Sequence, residues 1–135
     1  MNHAAGSFEY RGLGKGAVVY VFTGTAGRLI LMGKMKVGDI LYSDAAVKRL
    51  LGFEPWPAPE HLIACACTPV QREPLPIAVG KALRFVSPSG KDSLVFDDED
   101  RLDLQQMRGV RRLQSKSADQ LDALLPPLTP YVPGQ

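Results

Sequence analysis

The sequence predicts an α+β fold: a small curved mixed β-sheet, or a partly open β-barrel, flanked by short helices. Three observations predict it. Runs rich in β-branched and aromatic residues recur along the chain, "AVVYVFT" at 17–23 being the clearest. Helical periodicity appears only in short stretches. Strands, hairpins and short helices follow one another without the regular alternation of a doubly wound sheet.

Residues 1–16 are rich in glycine and small residues and read as a loose lead-in, with Phe8 and Tyr10 available to tack it down. Residues 17–23 form the first strand, "GTAG" at 24–27 the turn, and "RLILMGKMKV" the second strand of a hairpin. Gly33 marks a bulge or a close approach, and the strand can continue through "GDILY" after a bend at Gly38. "SDAAVKRLLG" is the strongest helix signal. Ser43 or Asp44 caps it, Ala46, Val47, Leu50 and Leu51 share a face, and Gly52 stops it. "FEPWPAPE" follows as a stiff extended loop carrying Phe53 and Trp56. "HLIACACTPV" is apolar on both faces and is expected as a buried central strand.

Pro76 can open a short helix reaching Leu83. "LVF" at 94–96 is a short strand, "DDED" at 97–100 a turn, and Asp103 caps a short helix over "LQQM". "GVRRLQ" at 109–114 reads as a last strand. Ser117 is then expected to cap a helix over "ADQLDALL", with Leu121, Leu124 and Leu125 inward. Residues 17–125 are read as one domain. The Pro-rich tail 126–135 cannot be helical and lies on the surface.

Composition restricts function. Hydrophobic content is 45%, charged content 22% and net charge +2, as in an ordinary soluble globular protein. The charge is uneven: residues 1–90 carry ten Lys/Arg against six Asp/Glu, and residues 91–135 six against eight. No apolar run reaches about 18 residues, so no membrane span is expected. The first residues lack the layout of a signal peptide. Cys65 and Cys67 are poorly placed for a disulfide on one strand and supply too few ligands for zinc. Both are expected as small buried residues of a cytoplasmic protein.

No catalytic signature is present: no nucleophile elbow, phosphate-binding loop or paired-histidine metal motif occurs. His61 is the one plausible base. It shares a strand face with Cys65 but lies about 13 Å away, too far to activate it. No enzyme activity, metal or cofactor is therefore expected.

The stretch 94–113 holds the densest charge. Its acids, Asp97 to Asp100, are contiguous rather than alternating, so they do not match a calcium loop. A turn whose carboxylates bond nearby N–H groups explains them. Arg108, Arg111 and Arg112 suit phosphate or base edges, and equally suit the neighbouring carboxylates of residues 97–103.

"VVYVFTGTAGRLILMGKMKV" resembles the hairpin of PUA-like domains, especially the EVE and YTH-like branch, with an apolar-x-Gly-x-apolar strand around Gly33. "EPLPIAVGKALRF" is similar to that family's Pro-rich entry to a short helix. "MRGVRRLQSKSADQLDALL" looks like its closing arginine stretch, strand and capped helix. The family's opening Lys-Ser-Glu-Pro-like strand has no counterpart in residues 1–16. The resemblance spans roughly residues 17–125 as a pattern of segments. It implies a PUA-like barrel that binds without catalysis, holding RNA, or DNA with a modified or flipped base. Flipped bases need flat apolar faces and backbones need cations. The candidates here are Trp56 and Tyr42, with Phe53 nearby, and Lys34, Lys36, Arg108, Arg111 and Arg112. By position, Arg108 and Arg112 match the family's arginine stretch best, offset by one residue. Each has a plainer reading: Trp56 as a lid on the core, Tyr42 and Phe53 as core, Lys34 and Lys36 as the wet face of a strand. A protein-interaction module using Trp56 and the Pro-rich tail is the alternative.

Overall fold

The structure, a computed structural model, describes residues 12–133. Phe8, Tyr10 and the rest of the lead-in up to residue 11 lie outside them. An antiparallel sheet of four strands has the linear order β1-β2-β3-β4. Its strands are β1 (Val18–Thr25), β2 (Arg28–Leu41), β3 (His61–Cys67) and β4 (Thr129–Pro130). Helices are short: α1 (Asp44–Leu51), α2 (Ile77–Ala82), α3 (Ser115–Asp122) and a 3-10 turn at Leu104–Met107. The fold class is α+β as expected, with an antiparallel sheet in place of the expected mixed one.

The β1–β2 hairpin turns on Ala26 and Gly27, whose φ angles are 50° and 78°. Two consecutive positive φ values define the tight turn whose twist matches that of the flanking strands. Gly24, expected in the turn, belongs to β1, and a Cβ there would stand 2.4 Å from a methyl of Leu104. β2 runs unbroken past Gly38. Its register against β3 slips between Lys36 and Val37 and again between Val37 and Asp39. A Cβ on Gly38 would meet the Cβ of Cys65 at 2.7 Å, so glycine lets the strands approach there.

The chain divides into two compact units. The first holds residues 12–19, 34–68 and 127–133 among those described. Its interior contains Val37, Ile40, Val47 and Ile63. α1 forms as its sequence dictates. The Ser43 hydroxyl accepts from the Ala46 N–H, Gly52 closes the helix at φ 81°, and Val47 is its one buried side chain. Leu50 stays 40% exposed, so the apolar stripe is narrower than expected.

β3 corrects the expectation of a strand buried on both faces. Only Ile63 is buried, Cys65 is exposed and Cys67 half-buried. At its outer edge β4 pairs Cys67 with Thr129 and Ala66 with Pro130, and the Tyr131 N–H bonds the Cys65 carbonyl at 3.0 Å. The tail, expected as loose surface chain, supplies that strand. The lead-in is likewise tied where it is described, since the Gly16 N–H bonds the Val37 carbonyl at 2.7 Å.

The second unit holds residues 20–33 and 69–126. Its core gathers Leu29, Leu31, Leu75, Leu83, Phe85, Leu94, Leu102 and Leu121. Residues 71–75 lie along β2, with the Gln71 N–H on the Met32 carbonyl and the Leu75 N–H on the Leu29 carbonyl. α2 occupies its expected place, and Gly80 lets the Phe96 ring approach to 3.3 Å of a virtual Cβ.

Three further expectations are corrected in this unit. Residues 94–96 and 109–114 form no strands: each contributes a single bridge, Phe96 with Leu102 and Phe85 with Leu113. Ser117 does not cap α3. The helix begins two residues earlier, and Ser117 is buried inside it, its hydroxyl accepting from the Arg84 N–H at 2.7 Å. Leu121 is fully buried, whereas Leu124, past the helix end, is 39% exposed.

Candidate nucleic-acid interface

The acids at 97–100 form a self-contained turn. The Asp97 carboxylate accepts from the Glu99 and Arg101 N–H groups, each at 2.9 Å. These bonds, led by that from Arg101, hold its carboxyl below the usual carboxylate range. The Arg101 guanidinium pairs with Glu99 at 2.7 Å and Asp97 at 3.5 Å, and Lys81 pairs with Asp100 at 2.5 Å. The acidic turn thus takes its cations from Arg101 and Lys81. An open hollow of about 590 Å³ beside it, between Phe96, Asp97, Arg101 and Gln106, holds none of the binding residues expected from the sequence.

The other arginines divide. Arg111 is held by the fold itself. It donates to the Gln106 carbonyl at 3.2 Å and the Lys91 carbonyl at 2.9 Å. Its guanidinium stacks 4.0 Å from the centre of the Phe85 ring. Arg108 reaches only the Gln105 side-chain oxygen, at 3.4 Å, and is exposed. Arg112 is exposed as well. Among the described residues neither forms an ion pair with a carboxylate, so the local pairing expected of these arginines is limited to Arg101.

The bridge that carries Arg112 also brings up residues that sequence reasoning missed. Residues 84–86 run antiparallel to 112–114: the Val86 N–H bonds the Arg112 carbonyl at 2.8 Å and the Gln114 N–H bonds the Arg84 carbonyl at 2.9 Å. Phe85 and Leu113 face the core. The alternation of a bridged pair therefore turns Arg84, Val86 and Arg112 outward. Val86 is 55% exposed. Among the described residues Arg84 has no carboxylate partner. One of its terminal nitrogens donates to two backbone carbonyls, of Lys81 at 2.9 Å and Leu83 at 2.8 Å. Residues 104–118 contain four cations and no acid. The only signal in the sequence was the alternation of "LRFV", which lacks a partner until the fold supplies residues 112–114.

In the first unit, Trp56 is 91% exposed and Phe53 60%. Trp56 is therefore not a lid, and neither Phe53 nor Tyr42, at 46%, is core. Their loop is nevertheless anchored. The Asp44 carboxylate accepts from His61 Nε2 at 2.7 Å and from the Ala58 N–H at 3.1 Å, and Lys48 pairs with Glu54 at 3.1 Å. The His61 bond, then that from Ala58, holds the Asp44 carboxyl below its ordinary value. Lys36 is exposed, as expected of a wet face, while Lys34 is half-buried and its backbone exchanges bonds with Thr68.

Trp56, Tyr42, Lys34 and Lys36 thus belong to the first unit, and Arg84, Arg108, Arg111 and Arg112 to the second. No family model, curated protein or solved structure matches this chain. Among the described residues, no three or more His, Cys, Asp or Glu side chains are gathered to hold a metal, and no helix is long and apolar enough to cross a membrane.

Proposed function

We propose that this chain is a non-catalytic nucleic-acid-binding module, PUA-like in kind, that holds RNA or a modified or flipped base. The observation that carries it is the sorting of charge in the second unit. The acidic turn takes its ion-pair partners from Arg101 and Lys81, while Arg84, Arg108 and Arg112 face solvent and, among the described residues, pair with no carboxylate. Guanidinium groups left in that state match phosphate. An exposed indole on a proline-stiffened loop is a stacking surface for a base at small entropic cost. Retention of labelled single-stranded RNA and of methylated duplex DNA at low salt tests the reading. Arg108→Ala combined with Arg112→Ala is expected to weaken binding about equally across sequences, as loss of backbone contacts does. Absence of retention at low salt defeats it.

A second reading has its own observation. Trp56 lies between Glu54 and Glu60, and residues 53–60 contain no cation. That setting suits a protein partner with a basic rim better than a phosphate. Under this reading, Trp56→Ala abolishes capture of a protein that nuclease treatment of the extract leaves unchanged.

A further inference from the structure

We infer that the outward strip Arg84–Val86–Arg112 is the track for the backbone of a single-stranded nucleic acid, with Arg84 and Arg112 taking neighbouring phosphates. The inference rests on the nucleic-acid reading above and specifies the strand form and how Arg84, Val86 and Arg112 share the contact. Arg84 and Val86 lie about 6.6 Å apart in extended backbone. Arg112 stands opposite Val86 across the bridge, since the Val86 N–H bonds its carbonyl. Two cations therefore flank one exposed apolar side chain.

Arg84 is ordered before any ligand arrives. The Lys81 and Leu83 carbonyls hold one nitrogen of its fork, leaving the others for an incoming oxygen. Its own N–H is fixed on the buried Ser117 hydroxyl, which sets the backbone beneath it. A guanidinium fixed by neutral carbonyls keeps its full charge, unlike one fixed by a carboxylate. Val86 adds an apolar patch of the size of a ribose or a base edge. Cations beside an apolar contact suit one unpaired strand, whose base faces are open, whereas a duplex stacks its base faces inward.

The test is the salt dependence of binding to single-stranded oligo(dT) and oligo(U), read by fluorescence anisotropy. For a single strand, each phosphate contact adds about 0.7 to the slope of log affinity against log salt. Arg84→Ala and Arg112→Ala are each expected to flatten the slope by about 0.7, and together by about 1.4. Arg84→Lys keeps the charge and is expected to keep the wild-type slope. Val86→Glu and Arg112→Ala change only exposed side chains, so they carry the test if Arg84→Ala unfolds. Val86→Glu is expected to weaken binding at low salt, with the deficit relative to the wild type shrinking as salt rises. Oligonucleotide binding with unchanged slopes in both arginine variants overturns the track and leaves the broader reading standing. So does tighter binding to the duplex of the same sequence. Failure to bind any oligonucleotide overturns both.

Discussion

Gly24 sits where β-strand propensity alone disfavours glycine. Glycine is accommodated there beside Leu104, whose methyl occupies the space a Cβ needs. Gly24→Ala is expected to lower stability by about 1–3 kcal/mol through overpacking. Combining it with Leu104→Ala should cost less than the sum of the single changes, a coupling that a double-mutant cycle in urea measures. Asp44 gives a pH prediction at the same scale. Its carboxyl is held below its ordinary value by His61 and the Ala58 N–H. A carboxyl more acidic in the folded chain stabilises the fold above its unfolded value and loses that contribution as pH falls through the folded one. Urea midpoints across an acid pH series should therefore show a shallower acid limb in Asp44→Asn than in the wild type. Equal limbs would rule out this pairing as a source of stability.

Among the elements, the loop 53–60 and helix α1 separate stability from binding. Trp56 is the only tryptophan in the chain and is 91% exposed. Its fluorescence is expected at the water-exposed, long-wavelength end and to be quenched by acrylamide nearly as freely as a model indole. A blue-shifted, protected emission would contradict the exposed loop. Trp56→Ala should change stability by no more than about 0.5 kcal/mol, because no core contact is lost. Ser43→Ala, at the start of α1, removes the helix cap and should cost about 1 kcal/mol. The alternation of apolar and polar residues failed to describe 109–114 for a reason at this scale. A strand needs a continuous ladder, and these residues meet their partner at a single bridge. The same bridge decides which side Arg112 faces, and it sets Arg111 against Phe85.

For the molecule as a whole, stability in the second unit rests on leucines drawn from distant stretches of chain. Leu121 and Leu83 are fully buried, and Leu29, Leu75, Leu94 and Leu102 complete the same cluster. Leu121→Ala is expected to cost about 2–5 kcal/mol, whereas Leu124→Ala, at a side chain 39% exposed, should cost far less. Chemical denaturation of the two variants checks the contrast, and equal losses would mean that α3 is docked differently.

Local chemistry was enough for the sequence to determine the hairpin, α1 with its Ser43 cap and Gly52 stop, α2, the 3-10 turn capped by Asp103 and the Asp97 turn. Each depends on side chains within a few residues bonding their own backbone or meeting steric limits there. The burial of β3, the start of α3 and the roles of the arginines were decided by tertiary structure. Cys65 is exposed although its strand is apolar, and Ser117 is buried with its hydroxyl on the Arg84 N–H. Arg111 and Arg112 are neighbours of identical chemistry. One lies on an aromatic ring and the other faces water, because residues 84–86 and 112–114, remote in sequence, bridge through their backbones. A sequence pattern records which residues can pair, but the closure of long loops selects the pairs that form.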